Sequence, residues 1–191
     1  MQESKTEINK EAPKFEADAY HKDEIVKIKL DDFKGKWVIL FFYPGDFTFV
    51  CPTELGELAD KYADIKKIGA EIVSVSTDTV HVHKAWFDTS ETIKKIKFPM
   101  LADPTGNICR DYGTYIYDEG KSLRGTFIIN PEGILKSIEL NDNDIGRSSA
   151  ELIRKIQAAK FVREHKGQVC PMNWQPGAKT LKPGLDLVGK I

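Results

Sequence analysis

The sequence predicts an α/β fold with a mixed central sheet flanked by helices and an irregular C-terminal arm. Five stretches carry that expectation. Residues 37–43, Trp-Val-Ile-Leu-Phe-Phe-Tyr, are a continuous apolar, β-rich run, the pattern of a strand buried on both faces. Residues 53–68 then set Leu55, Leu58, Ala59, Tyr62, Ile65 and Ile68 at helical spacing, Gly69 follows as a stop signal, and residues 71–76 read as a second strand. Strand, helix and strand make a βαβ unit, whose crossover is almost always right-handed. Residues 125–129 and 134–140 are further strand candidates, separated by Asn130-Pro-Glu-Gly133. Pro at the second position of that tetrapeptide and Gly at the fourth are turn chemistry, so the two strands form an antiparallel hairpin.

The remaining elements follow in order. Residues 81 to about 96 are expected to be helical, with Pro99 closing the region. Ser148-Ser-Ala-Glu151 resembles a capping box and opens a helix that runs to about Glu164. Leu152, Ile153, Ile156, Ala159 and Val162 share one face of it. After Gly167 the composition shifts to Pro171, Pro176, Pro183 and three glycines with little periodicity. The expected organisation is therefore a domain over residues 1–167 and an arm over residues 168–191.

With 191 residues the chain is long enough for one core, which buries about 70% of the unfolded surface without a metal or disulfide staple. Lys and Arg number 28 against 29 Asp and Glu, a net charge of -1. That balance lacks the basic excess of a nucleic-acid or anionic-membrane binder, so neither partner is expected. The first ten residues have neither the apolar core of a signal peptide nor the character of a transit peptide. The apolar run at 37–43 is far short of the roughly 20 residues a membrane span needs. A cytoplasmic location is the expectation. Three cysteines, Cys51, Cys109 and Cys170, make no secreted disulfide framework and are too few and too far apart for a tetrahedral zinc site. His81 and His83 find no cysteine or acidic cluster to complete a ligand set, so no metal is expected. What remains is whether any of the three thiols is reactive.

Cys51 has the strongest case. It follows the C-terminal end of the first buried strand, where clefts of open α/β sheets form, and it stands at the opening of the next helix. Pro52 suits an early helical position because it needs no N–H partner. The unpaired N–H groups and positive dipole end of that helix favour a thiolate, the nucleophilic form of cysteine. Thr48 can bring a hydroxyl beside the sulfur, and Pro44 fixes the loop and shields it from bulk water.

Pro44-x-x-x-Thr48-x-x-Cys51 resembles the active-site motif of the peroxiredoxins, and Phe41-Phe-Tyr-Pro-Gly-Asp-Phe-Thr-Phe-Val-Cys-Pro-Thr-Glu54 matches it over its whole length. Val169-Cys170-Pro171 resembles the resolving-cysteine motif of the typical 2-Cys members. Residues 123–133 resemble the family's arginine-bearing hairpin, and Ile145-Gly-Arg147 the site of its second arginine. The ending, residues 185–191, is similar to the bacterial alkyl hydroperoxide reductase type. The resemblance covers roughly residues 10–191.

It implies a thioredoxin-like fold and a thiol peroxidase. Cys51 would attack a hydroperoxide and become a sulfenic acid, and Cys170 of a partner subunit would condense with it. A flavoprotein reductase or a thioredoxin-like protein would reduce the resulting disulfide. Arg124 would stabilise thiolate and peroxide, Thr48 and the Cys51 N–H would orient the peroxide, and Glu54 and Arg147 would hold Arg124. No cofactor is implied. The family also implies a homodimer that assembles into a decamer.

Other readings give way to this motif. A lone buried cysteine is ordinarily structural, which is how Cys109 reads: an inert core thiol. Trp86 and Trp174 read as packing residues. A thioredoxin-type disulfide oxidoreductase would want Cys-x-x-Cys, and the fourth residue here is Glu54. An oligomeric holdase or scaffold is the rival from a different class.

Overall fold

The structure, a computed structural model, describes residues 4–190. It divides into two compact units, one ending at Arg147 and one beginning at Ser148. The sequence expectation drew its line twenty residues later, at 167/168, and so assigned the last helix to the first unit.

The first unit is built on a seven-stranded mixed sheet. Its strands in chain order are β1 (Glu16–His21), β2 (Glu24–Lys29), β3 (Trp37–Phe42), β4 (Ala70–Ser76), β5 (Met100–Ala102), β8 (Arg124–Ile129) and β9 (Leu135–Asn141), and a separate two-stranded ribbon pairs β6 (Tyr115–Ile116) with β7 (Lys121–Ser122). The spatial order is β2-β1-β5-β4-β3-β8-β9. β3 lies parallel to β4 on one side and antiparallel to β8 on the other, with all six of its residues buried. That is why its sequence shows no polar alternation. Helices α1 (Cys51–Lys67) and α2 (Val80–Thr89) pack against β4 and against β1 and β5 respectively, and α3 (Asn107–Asp111) is a short turn of helix.

The expected βαβ unit is present as β3-α1-β4. Ile68 caps α1, and Gly69 reverses the chain at φ 87°, its N–H donating to Lys66 O at 2.9 Å. The expected hairpin is β8-β9, turned by Asn130 to Gly133, with Gly133 at φ 81° and Asn130 Oδ1 accepting from the N–H groups of Glu132 and Ile134. One expectation needs correction. The helix expected over 81 to about 96 stops at Thr89, because Ser90 is extended, and resumes only as a 3-10 turn over Ile93–Lys95. α1 begins at Cys51, which stands at its opening as the sequence predicts.

The core beneath β3 is an aromatic stack. Phe42, Tyr112 and Phe127 meet edge to face or tilted at centroid distances of 4.9–5.4 Å, contacts worth about 0.5–1.5 kcal/mol each beyond area burial. Tyr112 satisfies its buried hydroxyl by donating to Pro13 O at 2.7 Å. Cys109 belongs to this core, and burial, together with the nearby Asp103 carboxylate, pushes its thiol far above the ordinary range. A neutral, enclosed thiol of that kind is unreactive.

The second unit opens with helix α4 (Ser149–Glu164), whose cap is Ser148, accepting from the Glu151 N–H. Of its expected apolar face, Leu152 and Ile156 are buried, whereas Val162 is exposed. The segment after it is irregular apart from a bridge between Val169 and Leu181 and a 3-10 turn at Leu185–Leu187. Trp174 is buried there, its ring 4.9 Å from that of Phe161.

Candidate active site

Cys51 is the first residue of α1, and Pro52 occupies the second position. Val50 at the N-cap offers no side-chain acceptor, Pro52 has no N–H, and the amides of Thr53 and Glu54 donate to Val50 O at 3.0 and 3.2 Å, which leaves the Cys51 N–H as the first-turn amide without a backbone acceptor. Helical geometry then decides what shares that space with the sulfur. Glu54 is three residues on, hence on the same face as Cys51, and both side chains are buried.

From the sheet, Arg124 at the start of β8 reaches over the same face. Its Nη1 lies 3.5 Å from Cys51 Sγ and donates to Glu54 Oε2 at 2.8 Å, while its Nε donates to Asn143 O at 2.8 Å. Arg147, just after β9 and its loop, grips the other side of the carboxylate. Its Nε and backbone N–H donate to Glu54 Oε1 at 2.9 and 2.8 Å, and its Nη2 donates to Oε2 at 2.8 Å. Nη1 of Arg147 is held by Gly125 O and Thr126 Oγ1, and the guanidinium stacks 3.3 Å above the Phe41 ring. Every hydrogen bond in this cluster fixes a rotamer, so the charge presented to the sulfur is immobile.

Burial alone would raise the Glu54 carboxyl, but the hydrogen bonds and charge of Arg147, with the charge of Arg124, hold it below its ordinary value. Glu54 is therefore an anion that ties two guanidinium groups together. With it ionised, the cluster of Arg124, Arg147 and Glu54 carries one unbalanced positive charge beside Sγ.

Cys51, Glu54, Arg124 and Arg147 are thus brought together. Pro44 is buried in the loop ahead of them. Thr48 is exposed, and its hydroxyl donates to Gly45 O at 2.8 Å, which leaves its oxygen to act toward any further partner as an acceptor. Cys170 lies in the second unit, half-buried, with Sγ 4.0 Å from Ala158 O, and burial raises its thiol against the charge of Arg154. All three cysteines are free thiols. The sequence reading gave no part to Asp46, which is buried and bonded to His83 across 37 positions. Among the described residues no group of three His, Cys, Asp or Glu is placed to hold a metal ion.

The site is thus a buried cysteine that opens a helix at the end of a sheet strand, faces a fixed guanidinium and has no Cys-x-x-Cys neighbour. The comparisons with known proteins give it a family. The model of the AhpC/TSA family matches residues 8–138, and that of the C-terminal domain of 1-Cys peroxiredoxin matches residues 158–188. The chain belongs to the AhpC/TSA family. It is 48% identical over 184 residues to alkyl hydroperoxide reductase C of Salmonella typhimurium, across 96% of this chain and 98% of that protein. Among solved structures, Enterococcus faecalis AhpC is 51% identical with a TM-score of 0.83, covering 86% of this chain and 98% of that one. The reduced 2-Cys peroxiredoxin of Plasmodium vivax is 36% identical with a TM-score of 0.91 and 95% coverage of both chains. The fold is the thioredoxin-like one of the peroxiredoxins.

Proposed function

We propose that this chain is a thiol-dependent peroxidase that reduces hydrogen peroxide and small alkyl hydroperoxides, with Cys51 as the attacking sulfur and Cys170 of a second copy as the resolving thiol. The observation that carries it is the buried Sγ of Cys51, 3.5 Å from Nη1 of an Arg124 that Asn143 O and Glu54 hold in place. A thiolate there balances the one positive charge that Glu54 leaves over, and a balanced buried cluster is the stable one.

The chemistry follows from those positions. A hydroperoxide enters beside the sulfur and Arg124, its terminal oxygen in line with Sγ. The Cys51 N–H and Arg124 donate to the peroxide oxygens, and Thr48 Oγ1 accepts the peroxide proton. The thiolate attacks the terminal oxygen, an S–O bond forms and the O–O bond breaks. Sulfur loses two electrons, and the departing alkoxide or hydroxide takes a proton to leave as alcohol or water. Negative charge grows on the departing oxygen, where fixed donors stabilise it without reorganisation. The sulfur itself carries the two electrons, so the reaction calls for neither metal nor organic cofactor.

Cys51 is wholly enclosed, so its sulfenic acid has to be uncovered before a second thiol can reach it. The Cys170 thiol then gives up its proton as its sulfur attacks the Cys51 sulfur, an S–S bond forms, the S–O bond breaks and the departing hydroxide takes that proton to leave as water. A dithiol from a flavoprotein reductase or a thioredoxin-like partner reduces the disulfide by exchange. Phe47 and Phe49, 57% and 93% exposed on the loop before Cys51, are apolar surface that suits a homodimer and a decamer built from it. We place the enzyme in the cytoplasm, free of nucleic acid and membrane; no helix among the described residues is long and apolar enough to cross a bilayer.

The test is peroxide consumption by the reduced protein with dithiothreitol as electron donor. Consumption that scales with protein concentration and greatly exceeds the dithiothreitol blank is the expected result. Consumption at the rate of the blank would overturn the proposal.

A further inference from the structure

The loop from Pro44 to Val50, between β3 and α1, delivers Thr48 and sets the start of the helix that carries Cys51. Its backbone is strained: Phe47, a bulky residue, sits at φ 55° in the left-handed region. Such a conformation persists only where its surroundings enforce it. What enforces it is a set of contacts outside the cluster of Cys51, Glu54, Arg124 and Arg147. Asp46, its side chain fully enclosed, receives the Tyr43 hydroxyl at 2.7 Å on Oδ1 and meets His83 Nδ1 at 2.7 Å on Oδ2. His83, also fully enclosed on α2, spans on to Leu101 O of β5 through Nε2 at 3.3 Å. A carbonyl only accepts, so Nε2 carries a proton, and the Nδ1 to Oδ2 contact is bridged by another. The Asp46 N–H donates to Asp78 Oδ2 at 2.8 Å, and that same oxygen accepts from Ser76 Oγ at the end of β4. The Phe47 ring lies 6.0 Å from that of Trp86 on α2. The Asp46 carboxylate is thus held by Tyr43 and by His83 of α2, and its backbone by Asp78 just after β4.

We propose that Asp46 is a positioning residue: through Tyr43 and His83 it clamps the strained loop closed, and so sets how the enzyme divides its time between peroxide attack and release of Cys51 to the resolving thiol. This rests on the peroxidase reading above. The closed loop is the form in which sulfur, Arg124 and Thr48 face one peroxide. The open loop is the form in which a second chain's thiol reaches the sulfur. Weakening the clamp therefore slows the first step and speeds the second.

Asp46→Asn tests this, because a neutral amide still accepts from Tyr43 but replaces the proton shared between the carboxylate and His83 with a weaker neutral hydrogen bond. Reduced protein is mixed with one equivalent of hydrogen peroxide and quenched over time. Sulfenic acid is trapped with a 1,3-dione and the disulfide is measured by non-reducing mass analysis. The expected result is about a tenfold slower oxidation, a severalfold faster disulfide step, and less Cys51 sulfinic acid under excess peroxide. A purely structural role would lower the active fraction and leave both rate constants of the folded protein unchanged, and that outcome overturns the inference. Tyr43→Phe keeps the ring and deletes one donor; it is expected to shift the same two rates in the same directions by a smaller factor, and it decides the matter if Asp46→Asn does not fold. Wild-type protein that forms no sulfenic acid would instead refute the peroxidase reading itself.

Discussion

Cys51→Ser abolishes peroxide turnover, leaving only the rate of the electron donor alone. The effect is total because no neighbouring group can take over a two-electron oxidation at sulfur. Cys109 is locked in the aromatic core with its thiol pushed up by burial, and burial raises the Cys170 thiol as well, against the charge of Arg154. The fold should survive, since serine keeps a small side chain within reach of Arg124 and the change removes one buried sulfur, a loss on the order of 1 kcal/mol. The measurement is steady-state peroxide consumption alongside suppression of aggregation of a heat-denatured client protein. Loss of the first with retention of the second separates the chemistry from any holdase property of the assembly. Peroxide turnover persisting in the variant would show that the reacting sulfur is elsewhere.

Glu54→Gln is the second large effect, and it falls on stability and rate together. The carboxylate is the single anion between two buried guanidinium groups, with Arg124 at 2.8 Å and Arg147 at 2.8 Å. A neutral amide of the same size leaves those two charges facing each other. Breaking a buried ion pair by removing one partner typically costs about 3–5 kcal/mol. Arg124 also loses the bond that aims its Nη1 at the sulfur, so oxidation of Cys51 by peroxide should slow by about a hundredfold, the scale of losing one fixed donor. The pH dependence has a definite sign. Glu54 has a folded-state value below the ordinary 4.5, so its contribution is complete above 4.5 and disappears as pH falls through the folded-state value. Urea midpoints of wild type and variant should therefore lie far apart at neutral pH and converge in acid. A gap that is the same at both ends would mean that Glu54 is not holding the arginines by its charge.

The parts of this fold that were legible are those in which one local pattern has one physical cause. The run from Trp37 to Phe42 is apolar throughout because its strand is paired and covered on every side. The turn residues Asn130 to Gly133 carry their geometry in their own side chains and φ angles. Illegible were elements whose signal is weak or non-local. The β1-β2 hairpin is an edge ribbon with mostly exposed positions, so Glu16–His21 and Glu24–Lys29 show little burial pattern. β5 is three residues long and exists because β1 and β4 flank it. α2 ends early because Ser90 turns extended, which the apolar spacing beyond it conceals.

The site divides in the same way. Cys51, Thr48 and Pro44 sit in one contiguous motif, and the i,i+3 spacing of Cys51 and Glu54 is local. Arg124 and Arg147 come from 70 and 93 positions away to reach Glu54, so only the family resemblance placed them in the site. Asp46 and His83 had no such guide. His83 read as half of a weak metal pair, and nothing in the sequence says that its ring turns inward to a carboxylate 37 residues earlier.

The central claim is that one buried sulfur, Cys51, is oxidised by peroxide and then joined to Cys170. It is tested most directly by treating fully reduced protein with one equivalent of hydrogen peroxide and mapping its peptides and intact chains without reduction. The account predicts a Cys51–Cys170 link joining two chains, with Cys109 still a free thiol. Cys51 recovered unoxidised after the peroxide is consumed, or a disulfide that excludes it, would contradict the account.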